Sequence, residues 1–452
     1  MISLYDTATQ QVVPLAQRDP GKVSMYVCGP TVYAPPHIGH GRMVLVYDIL
    51  RRYLTWTGLD VHHVSNVTDI DDQIIRRAQQ EDRTATEIAV KCEKIWWQAM
   101  DRLGVLRPVN IPHATEYVDG MIELIAQLVE RDAAYPASDG IYLSVEKVEG
   151  YGLLNHQSLD DLREGGGDRD IVGVDKRHPA DFALWKLAKE GEPSWPSPWG
   201  DGRPGWHTEC VVMSLDLLGE GFDLHSGGLD LVFPHHENER AQAVALGRPF
   251  ANHWMHHGFI EMGGEKMSKS LGNVMNLLDL MDAYDPRAYR LLILRSHYRS
   301  PIEVTDASMS DAVAALARLD AFARRTDGLE GMADPDVLDQ FRAIMDRDLD
   351  TPGAIDLLFR QVREANTALD AADAAAAGRA AATAREIARA VGLVFRSGAD
   401  SELPAQVLAL AEQRQAARAA KDWALADQLR DQMTAAGYTV EDTPNGAVVR
   451  PT

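Results

Sequence analysis

The chain has 452 residues, enough for two to four domains, and its 45% hydrophobic and 25% charged content is typical of soluble globular proteins. Its formal net charge of −22 argues against a protein that coats nucleic acid nonspecifically. No stretch is apolar enough to span a bilayer, and the N-terminus lacks the basic and apolar regions of a secretory signal. We therefore expect a cytoplasmic protein that does not bind membranes.

The three cysteines, Cys28, Cys92 and Cys210, are too few and too scattered for a disulfide framework. Cys92 lies in a helical pattern beside Trp96 and Trp97, which favours a place in the core. Cys28 and Cys210 remain open to three interpretations: core residue, metal ligand or nucleophile.

The first regular patterns predict a strand–helix–strand unit. Residues 22–28 form an apolar run, apolar residues recur with a helical period from 39 to 57, and 60–65 is a second β-prone run. Such a βαβ unit belongs to a parallel sheet, whose ligands bind at the carboxyl ends of the strands. Cys28 ends the first strand, Gly29 follows it and Thr68 follows the second, so all three are expected at that edge.

Later patterns are mostly helical. Helical periods cover three long stretches, 84–103, 114–131 and 276–296. The stretch 136–205 is less regular and indicates an insertion, while residues from 306 onward are mostly helical. Near the C-terminus Pro444-Asn445-Gly446, between two β-prone runs, predicts a small hairpin.

A short polar run, Glu265–Ser270, carries two lysines and is called the lysine segment below. Lys266 and Lys269 lie three apart with glycines on both sides, which indicates a loop. Two cations at this spacing suit a polyphosphate, although a solvated turn would have the same composition.

A second polar motif lies far upstream, where His37 and His40 open a helical pattern. The N-terminus of a helix favours phosphate because its N–H groups are free and its dipole is positive. Gly39 between the histidines would let a flat base approach the backbone closely.

Together, His37-Ile-Gly-His40 and Lys266–Ser270 resemble, in this order, the two nucleotide motifs of class I aminoacyl-tRNA synthetases. The resemblance implies an α/β fold, a Rossmann-like doubly wound parallel sheet with an insertion. All-α C-terminal domains and a small terminal β-hairpin are expected to follow the sheet.

Two further side chains, His235 and Glu239, lie four apart and on a helix would face the same way. With Cys28 and Cys210 they make a set of competent zinc ligands. Spacing alone is a weak signal, because no Cys-x-x-Cys pair exists and a lone buried cysteine is usually a core residue.

Four segments resemble cysteinyl-tRNA synthetases in particular: Met25–Tyr33, Asn66–Asp72, Gly205–Cys210 and Phe233–Glu239. In that family a zinc ion binds the side chain of the substrate, and the matching residues here are Cys28, Cys210, His235 and Glu239. Zinc binds a thiolate strongly and a serine hydroxyl poorly, so selection is expected without a separate editing domain.

The implied activity is ATP-dependent activation of L-cysteine and its transfer to the 3′ end of tRNA(Cys), with one Zn²⁺ per chain and Mg²⁺ accompanying ATP. The matching catalytic residues are His37, His40, Lys266 and Lys269. ATP binding adds Gly39 and Asp230.

The candidates for the amino-acid site are Gly29, Thr31, Thr68 and Trp206, although Trp206 could be plain packing. The candidates for the anticodon are Arg418, Trp423, Asp427 and Asp442, although a helical pair with a core tryptophan would look similar.

Other histidines near these motifs, His207, His225 and His236, have no individual support and are expected to hydrogen-bond a ligand or a backbone group.

We expect 1–110 and 205–300 to form the two halves of the catalytic domain. The remaining segments are expected to be an insertion at 111–204, a helical stem at 301–400 and an anticodon-binding segment at 401–452.

Two alternatives stay open. The first is the ligase that joins cysteine to glucosaminyl-inositol in mycothiol synthesis, against which residues 404–452 argue because it lacks an anticodon-reading domain of this kind. The second is a catalytically silent synthetase-like protein that binds RNA, against which the intact His37, His40, Lys266 and Lys269 argue. A monomer is expected from the resemblance.

Overall fold

The computed structural model describes residues 2–165, 175–262, 265–267, 274–397, 405–420, 422–435, 438–443 and 446–451. The chain divides into two compact units, the first made of Met1–Phe322 and Gly328–Val394, the second of Ala323–Asp327 and Phe395–Thr452. Among the described residues, none of the helices combines the length and the apolar composition needed to cross a membrane.

The described strands are β1 (Ser3–Asp6), β2 (Gln11–Pro14), β3 (Lys22–Val27), β4 (Asp60–Ser65), β5 (Ala134–Ala137), β6 (Gly140–Leu143), β7 (Phe182–Leu187), β8 (Gly202–Pro204), β9 (Leu224–Gly228), β10 (Trp254–His257), β11 (Ile260–Met262), β12 (Glu265–Lys266), β13 (Ile302–Glu303), β14 (Tyr438–Thr443) and β15 (Gly446–Pro451). The described α-helices are α1 (Ile38–Trp56), α2 (Asp72–Glu81), α3 (Ala85–Leu103), α4 (Val118–Glu130), α5 (Leu159–Gly165), α6 (Trp206–Leu218), α7 (Glu237–Ala245), α8 (Leu277–Ala283), α9 (Pro286–Leu294), α10 (Asp306–Arg325), α11 (Pro335–Met345), α12 (Thr351–Asp370), α13 (Ala374–Ala390), α14 (Ala405–Ala419) and α15 (Trp423–Ala435).

A parallel sheet of four strands, in the order β10–β9–β3–β4, forms the centre of the first unit. Tyr26 in β3 lies opposite Val64 of β4 on one side and opposite His225 of β9 on the other. The chain therefore leaves β3 toward β4 and returns on the opposite side at β9. Ligands of open parallel sheets bind at such a reversal, outside the carboxyl ends of the strands.

The predicted β3–α1–β4 unit is confirmed, and each end of its three elements lies within one residue of the predicted position. Helix α1 begins after His37, whose ring accepts the backbone N–H of His40, and it ends at Trp56, before the C-cap residue Thr57, whose N–H bonds to the carbonyl of Tyr53. Its buried face carries Leu45, Ile49 and other apolar side chains at helical spacing.

The stretch 276–296, predicted as one helical segment, consists of two helices, α8 and α9. The break falls at Tyr284 and Asp285, just before Pro286. Pro286 has no N–H to continue a helix, and the carboxylate of Asp285 accepts the backbone N–H of Arg287 as an N-cap. The apolar period continues across both helices, which explains why the pattern alone suggested a single one.

The irregular stretch 136–205 contains most of an antiparallel sheet, β5–β6–β7–β8, that the sequence did not predict. Its strands are three to six residues long, so their alternation is too short to stand out. Lys186 in β7 and Arg203 in β8 both donate to the carboxylate of Asp72 at the start of α2. These ion pairs hold the antiparallel sheet against the loop that follows β4.

The alanine-rich stretch 365–389 is helical, as its composition predicts, but it is shared between α12 and α13. Asp373 separates them, because its side chain accepts the backbone N–H of Ala376 and so caps the second helix.

In the second unit, α14 and α15 pack together around Ala417, Ala426 and Leu429. Strands β14 and β15 pair antiparallel, with Thr443 opposite Gly446, which confirms the predicted terminal hairpin.

Candidate active site

Many of the predicted site residues line one pocket of about 310 Å³ at the carboxyl edge of the parallel sheet. The predicted residues on its wall are Cys28, Gly29, Thr31, His37, Gly39, His40, Trp206 and Asp230. They come from four separate parts of the chain: the loop after β3, the start of α1, the start of α6 and the loop after β9. The pocket is thus the crevice that the strand order creates.

His37 and His40 lie at the N-terminus of α1, where their rings stack with centroids 3.7 Å apart. Each ring nitrogen Nδ1 accepts the backbone N–H of the other residue, at 3.4 and 3.2 Å. Trp96 of α3 meets the His40 ring edge-on. The two imidazoles therefore cap the first turn of α1. They border the pocket at the N-terminal end of this helix, where the helix dipole is positive.

A cluster of metal-ligating side chains lies at the base of the pocket. Cys28, Cys210, His235 and Glu239 are all buried, and one ligand atom of each lies within 4.8 Å of the others. The Sγ atoms of the two cysteines are 3.7 Å apart. Cys28 Sγ lies 3.6 Å from Glu239 Oε1, and Cys210 Sγ lies 3.7 Å from His235 Nε2.

These separations fit a single tetrahedral ion. A zinc ion with bonds of about 2.0 to 2.3 Å has ligand-to-ligand edges of roughly 3.3 to 3.8 Å. A fourth contact, between His235 Nε2 and Glu239 Oε1, is 3.0 Å and so is shorter than this range. Two sulfurs, an imidazole and a carboxylate also form a donor set suited to zinc chemically, so the residues present fit such an ion.

Neighbouring histidines fix the orientation of the cluster. His225 Nε2 lies 2.7 Å from Glu239 Oε2, which leaves Oε1 directed at the sulfurs. His207 Nδ1 lies 2.8 Å from His235 Nδ1, so Nε2 of His235 faces the cluster. These contacts agree with the supporting role expected for His207 and His225.

A second, overlapping group also meets the distance requirement for a metal: Cys28, His225, His236 and Glu239. His236 Nε2 lies 3.3 Å from Cys28 Sγ, and its Nδ1 lies 2.7 Å from His256 Nε2. This group offers only one sulfur, so it suits zinc less well than the first.

The protonation of the cluster differs from that of free side chains. Burial favours the neutral thiol, but hydrogen bonds with Cys28 and His235 lower the pKa of Cys210 to about 6. Burial and the hydrogen bond to Cys210 raise the pKa of Cys28. Burial also disfavours the charged form of Glu239, yet the adjacent His225 and His235 hold the pKa of this carboxyl well below its ordinary value. The cluster therefore holds anionic donors at neutral pH.

Trp206 at the start of α6 stacks on the ring of His235, with centroids 3.8 Å apart and planes inclined by 16°. Because it also lines the pocket, it contacts both the cluster and the ligand space. Cys92, in contrast, packs among Ile88 and Ala89 away from these residues, as predicted for a core cysteine.

Thr68 is buried next to the loop after β3 and belongs to a chain of hydrogen bonds. Its Oγ1 donates to Glu209 Oε2 at 2.8 Å and accepts from Asn66 Nδ2 at 3.2 Å. Asn66 Oδ1 in turn accepts the backbone N–H of Gly29 at 2.8 Å. A Cβ at Gly29 would lie only 1.7 Å from the carbonyl oxygen of Asn66, so this close approach requires glycine.

Glu209 was missed by the sequence reasoning, and so was Asn66 as a partner of Gly29. Burial and the adjacent Cys210 raise the pKa of Glu209 well above its ordinary value. Both residues lie in segments that resemble cysteinyl-tRNA synthetases, Asn66–Asp72 and Gly205–Cys210, but sequence reasoning assigned them no role because each acts through a partner far away in the chain.

The lysine segment is described only in part. Lys266 lies in β12, where its backbone pairs with Glu261 of β11, and its side chain lies outside the described atoms. Lys269 lies outside the described residues. Met267 lines the pocket, and its N–H donates to the carbonyl of Ile260.

The candidates for the anticodon lie in the second unit. Trp423 begins α15 and is 59% exposed, so the alternative of a core tryptophan is wrong. Asp427 lies one turn later and pairs with Arg430 at 3.2 Å. Arg418 is half-buried in the last turn of α14. Asp442 lies in β14 opposite Ala447, and its side chain is outside the described atoms.

Three family models match the chain. Residues 14–314 match the class I (C) catalytic domain of tRNA synthetases, 340–396 match the DALR domain, and 400–450 match the anticodon-binding domain of cysteinyl-tRNA ligase.

Solved structures agree on the fold. The chain resembles a Mycobacterium tuberculosis methionyl-tRNA synthetase in complex with methionyl-adenylate, with a TM-score of 0.63 and 15% identity over 82% of this chain and 90% of that one. It also resembles an Agrobacterium radiobacter LeuRS–tRNA–LeuAMS ternary complex, with a TM-score of 0.60 and 12% identity over 84% of each chain. The fold is therefore that of a class I aminoacyl-tRNA synthetase.

Curated relatives are more specific. The chain is 45% identical to the cysteine–tRNA ligase of Chromobacterium violaceum, over 100% of both chains. It is 43% identical to that of Streptomyces coelicolor, over 98% of this chain and 74% of the relative. The chain belongs to the cysteine–tRNA ligase family, and it is an enzyme of class I.

Proposed function

We propose that the protein activates L-cysteine with ATP and transfers it to the 3′ end of tRNA(Cys). The observation that carries this proposal is the buried set of two thiols, one imidazole and one carboxylate at the base of a nucleotide-type pocket. The names of relatives that are 41–45% identical over the full chain support it. They favour neither the mycothiol ligase nor a silent RNA-binding protein.

At the base of the pocket, Cys28, Cys210, His235 and Glu239 are proposed to hold one Zn²⁺. When bound, zinc would supply a strong preference for a thiolate over the hydroxyl of serine. His225 and His207 keep Glu239 and His235 aimed at the sulfurs through their 2.7 and 2.8 Å contacts. The first group is preferred to the overlapping one because it supplies two sulfur donors.

The amino-acid site is proposed to include Gly29, Thr31, Thr68 and Trp206. Trp206 lies between His235 and the pocket and so can cover a small side chain held at the cluster. Thr68 is held in position by Glu209 and Asn66. A site built this way keeps its buried polar groups paired.

ATP, accompanied by Mg²⁺, is proposed to bind across the start of α1. His37 and His40 would contact phosphate oxygens at the positive end of the helix, and Gly39 would leave room for the base. Asp230, which lines the pocket after β9, would bind the ribose hydroxyls. Lys266 and Lys269 would stabilise the charge that develops on the phosphates.

In the first step the carboxylate of cysteine attacks the α-phosphorus of ATP, forming cysteinyl-adenylate and releasing pyrophosphate. A terminal ribose hydroxyl of tRNA(Cys) then attacks the adenylate carbonyl and releases AMP. In both steps the residues named here position the reactants and stabilise charge, and none forms a covalent bond with the substrate.

The anticodon of tRNA(Cys) is proposed to contact Arg418, Trp423, Asp427 and Asp442, with the exposed indole stacking on an unpaired base. The protein is proposed to act as a monomer. The domain division proposed is 1–110 and 205–300 for catalysis, 111–204 for the acceptor end, 301–400 for the stem and 401–452 for the anticodon.

The test is one assay with two readouts. Zinc-loaded protein receives ATP, total tRNA and either cysteine or serine, and both pyrophosphate exchange and acylated tRNA are measured. Exchange and charging with cysteine but not serine are expected. Exchange without charged tRNA would instead point to an acceptor other than tRNA, as in the sugar ligase.

A further inference from the structure

Arg42, in the second turn of α1, is fully buried beneath the pocket and lines its wall. Its guanidinium donates to three backbone carbonyls, those of Phe259 at 2.6 Å, Tyr298 at 2.9 Å and Ser300 at 2.5 Å. Within the described part of the chain, no carboxylate forms an ion pair with it. Burying a cation without a counter-charge is costly, so this arrangement calls for an explanation beyond packing.

The three carbonyls mark the base of the lysine segment. Phe259 directly precedes β11, and β11 pairs antiparallel with β12, which contains Lys266. On its other side β11 pairs parallel with β13, a strand that begins two residues after Ser300. Arg42 therefore reaches from the helix of His37 and His40 to the start of β11, the strand with which the backbone of Lys266 pairs.

Two of these carbonyls already take part in the junction between the strands. Phe259 O also accepts the N–H of Ile302 at 3.0 Å, and Tyr298 O also accepts the N–H of Gly258 at 2.8 Å. Arg42 adds a second hydrogen bond to each. A planar guanidinium with five N–H donors in a fixed fork can bridge several acceptors in this way, whereas a lysine ammonium is a single point.

The far side of the junction is fixed by Asp348, between α11 and α12. Its carboxylate accepts Tyr298 Oη at 2.6 Å, Arg299 Nε at 2.8 Å and the N–H of Tyr5 at 2.8 Å. The segment 298–300 is thus held between Asp348 and Arg42. Within this network, Arg42 is the residue that belongs to α1, the helix that begins with the His37–His40 motif.

We propose that Arg42 is a positioning residue that sets the distance between the two nucleotide motifs, His37–His40 and the lysine segment. It does so by holding the start of β11 against α1. Its positive charge, shared only among carbonyls in the described structure, also makes the floor of the pocket favourable for an anionic nucleotide. This role rests on the proposed function, because it concerns the geometry of the ATP reaction.

The activity test compares Arg42→Lys and Arg42→Met with the wild type in cysteine-dependent pyrophosphate exchange. We expect kcat to fall roughly 10- to 100-fold in both, since a displacement of about 1 Å at a reacting group has such effects. The KM for cysteine should stay within about twofold of the wild-type value in both variants. The KM for ATP should rise more in Arg42→Met than in Arg42→Lys, because Arg42→Met loses the charge. Gly258→Ala should reproduce the kcat effect, because its Cβ would lie 2.5 Å from the carbonyl oxygen of Arg299 and spread the same junction.

A matched control is Arg290→Lys, which alters another buried arginine that pairs with Asp48 and, within the described part of the chain, forms no hydrogen bond with the lysine segment. It should lower the melting temperature while leaving kcat per folded molecule near that of the wild type. The proposal is overturned if Arg42→Lys keeps kcat within about threefold of the wild type, or if its loss matches that of Arg290→Lys at equal melting temperature.

A second readout does not depend on activity. Trypsin cleaves after lysine, so the rate of cleavage after Lys266 in the full chain reports how firmly β12 is held. Cleavage should be at least about fivefold faster in Arg42→Lys and Arg42→Met than in the wild type and in Arg290→Lys; equal rates would refute the anchoring role. If the wild type lacked cysteine-dependent exchange, the proposed function would fail, and the trypsin result would still decide the role of Arg42.

Discussion

Two glycines in the first turn of α1 differ in what surrounds them, although they are only two residues apart. A Cβ at Gly39 would lie 2.9 Å from the His37 ring and 3.2 Å from Met267 Cε, both of which border the pocket. We therefore expect Gly39→Ala to raise the KM for ATP roughly tenfold or more by displacing these groups. The free energy of unfolding should stay within about 1 kcal/mol of the wild type, as is usual for this exchange in a helix.

The control is Gly41→Ala, whose Cβ would lie 2.8 Å from a methyl carbon of Leu277 and 3.0 Å from the Tyr289 ring. These contacts belong to the core, so overpacking should cost about 1–3 kcal/mol of stability and leave the KM of the folded enzyme nearly unchanged. ATP kinetics and urea unfolding of both variants would distinguish the sites. A normal KM for ATP in Gly39→Ala would contradict the placement of the nucleotide.

The cysteines offer a second comparison at the level of single residues. Cys210→Ser removes a sulfur that lies 3.7 Å from both Cys28 and His235, so zinc affinity should fall by at least about 100-fold. Cys92→Ser alters an equally buried thiol in a separate apolar cluster, and it should retain zinc while losing about 1–2 kcal/mol of stability. Metal analysis after dialysis measures the zinc content of both variants. Equal zinc contents in Cys210→Ser and Cys92→Ser would exclude Cys210 as a ligand.

At the scale of elements, one buried carboxylate joins three helices. Asp48 of α1 accepts hydrogen bonds from Arg290 of α9 at 2.6 Å, from Arg52 at 2.8 Å and from the N–H of Leu106, just after α3. The side chains of Asp48 and Arg290 are only 2% and 3% exposed. Asp48→Asn leaves the Arg290 charge buried without a counter-charge, and it should lower the free energy of unfolding by about 3–5 kcal/mol at pH 7.

The same pair predicts a dependence on pH. Burial favours the neutral acid, but Arg290 and Arg52 outweigh it and lower the pKa of Asp48 below its ordinary value of 3.8. A carboxyl with a lowered pKa adds stability above its unfolded pKa and loses it as the pH falls through the folded one. The difference between wild type and Asp48→Asn in urea unfolding should therefore be full at pH 6 to 7 and shrink below about pH 4. A difference that is constant down to pH 3 would show that the ion pair contributes little.

At the scale of the whole molecule, the ligand pocket and the exposed Trp423 belong to different compact units. If Trp423 stacks on an anticodon base, Trp423→Ala should raise the KM for tRNA roughly 5- to 150-fold, because such stacking is worth about 1–3 kcal/mol. Cysteine-dependent pyrophosphate exchange should not change. Leu425→Ala, a second exposed apolar residue on α15, serves as the control and should leave both values near those of the wild type. An unchanged KM for tRNA in Trp423→Ala would remove Trp423 from the interface.

Local patterns in the sequence determined much of this molecule. The β3–α1–β4 unit and the terminal hairpin follow from apolar periodicity and turn residues, which are properties of neighbouring positions. The two nucleotide motifs and the possible ligands Cys28, Cys210, His235 and Glu239 were also found without coordinates. His235 and Glu239 could be paired because a helix brings residues four apart together.

Only the tertiary structure decided which groups support these residues. Glu209 bonds to Thr68 across 141 positions of sequence, and Arg42 reaches the carbonyls of Phe259 and Tyr298 across more than 200. The sheet β5–β8 likewise pairs strands that are individually too short to stand out. Contacts between distant positions leave no periodic trace in the chain, because they depend on how whole elements pack rather than on the local preference of any residue.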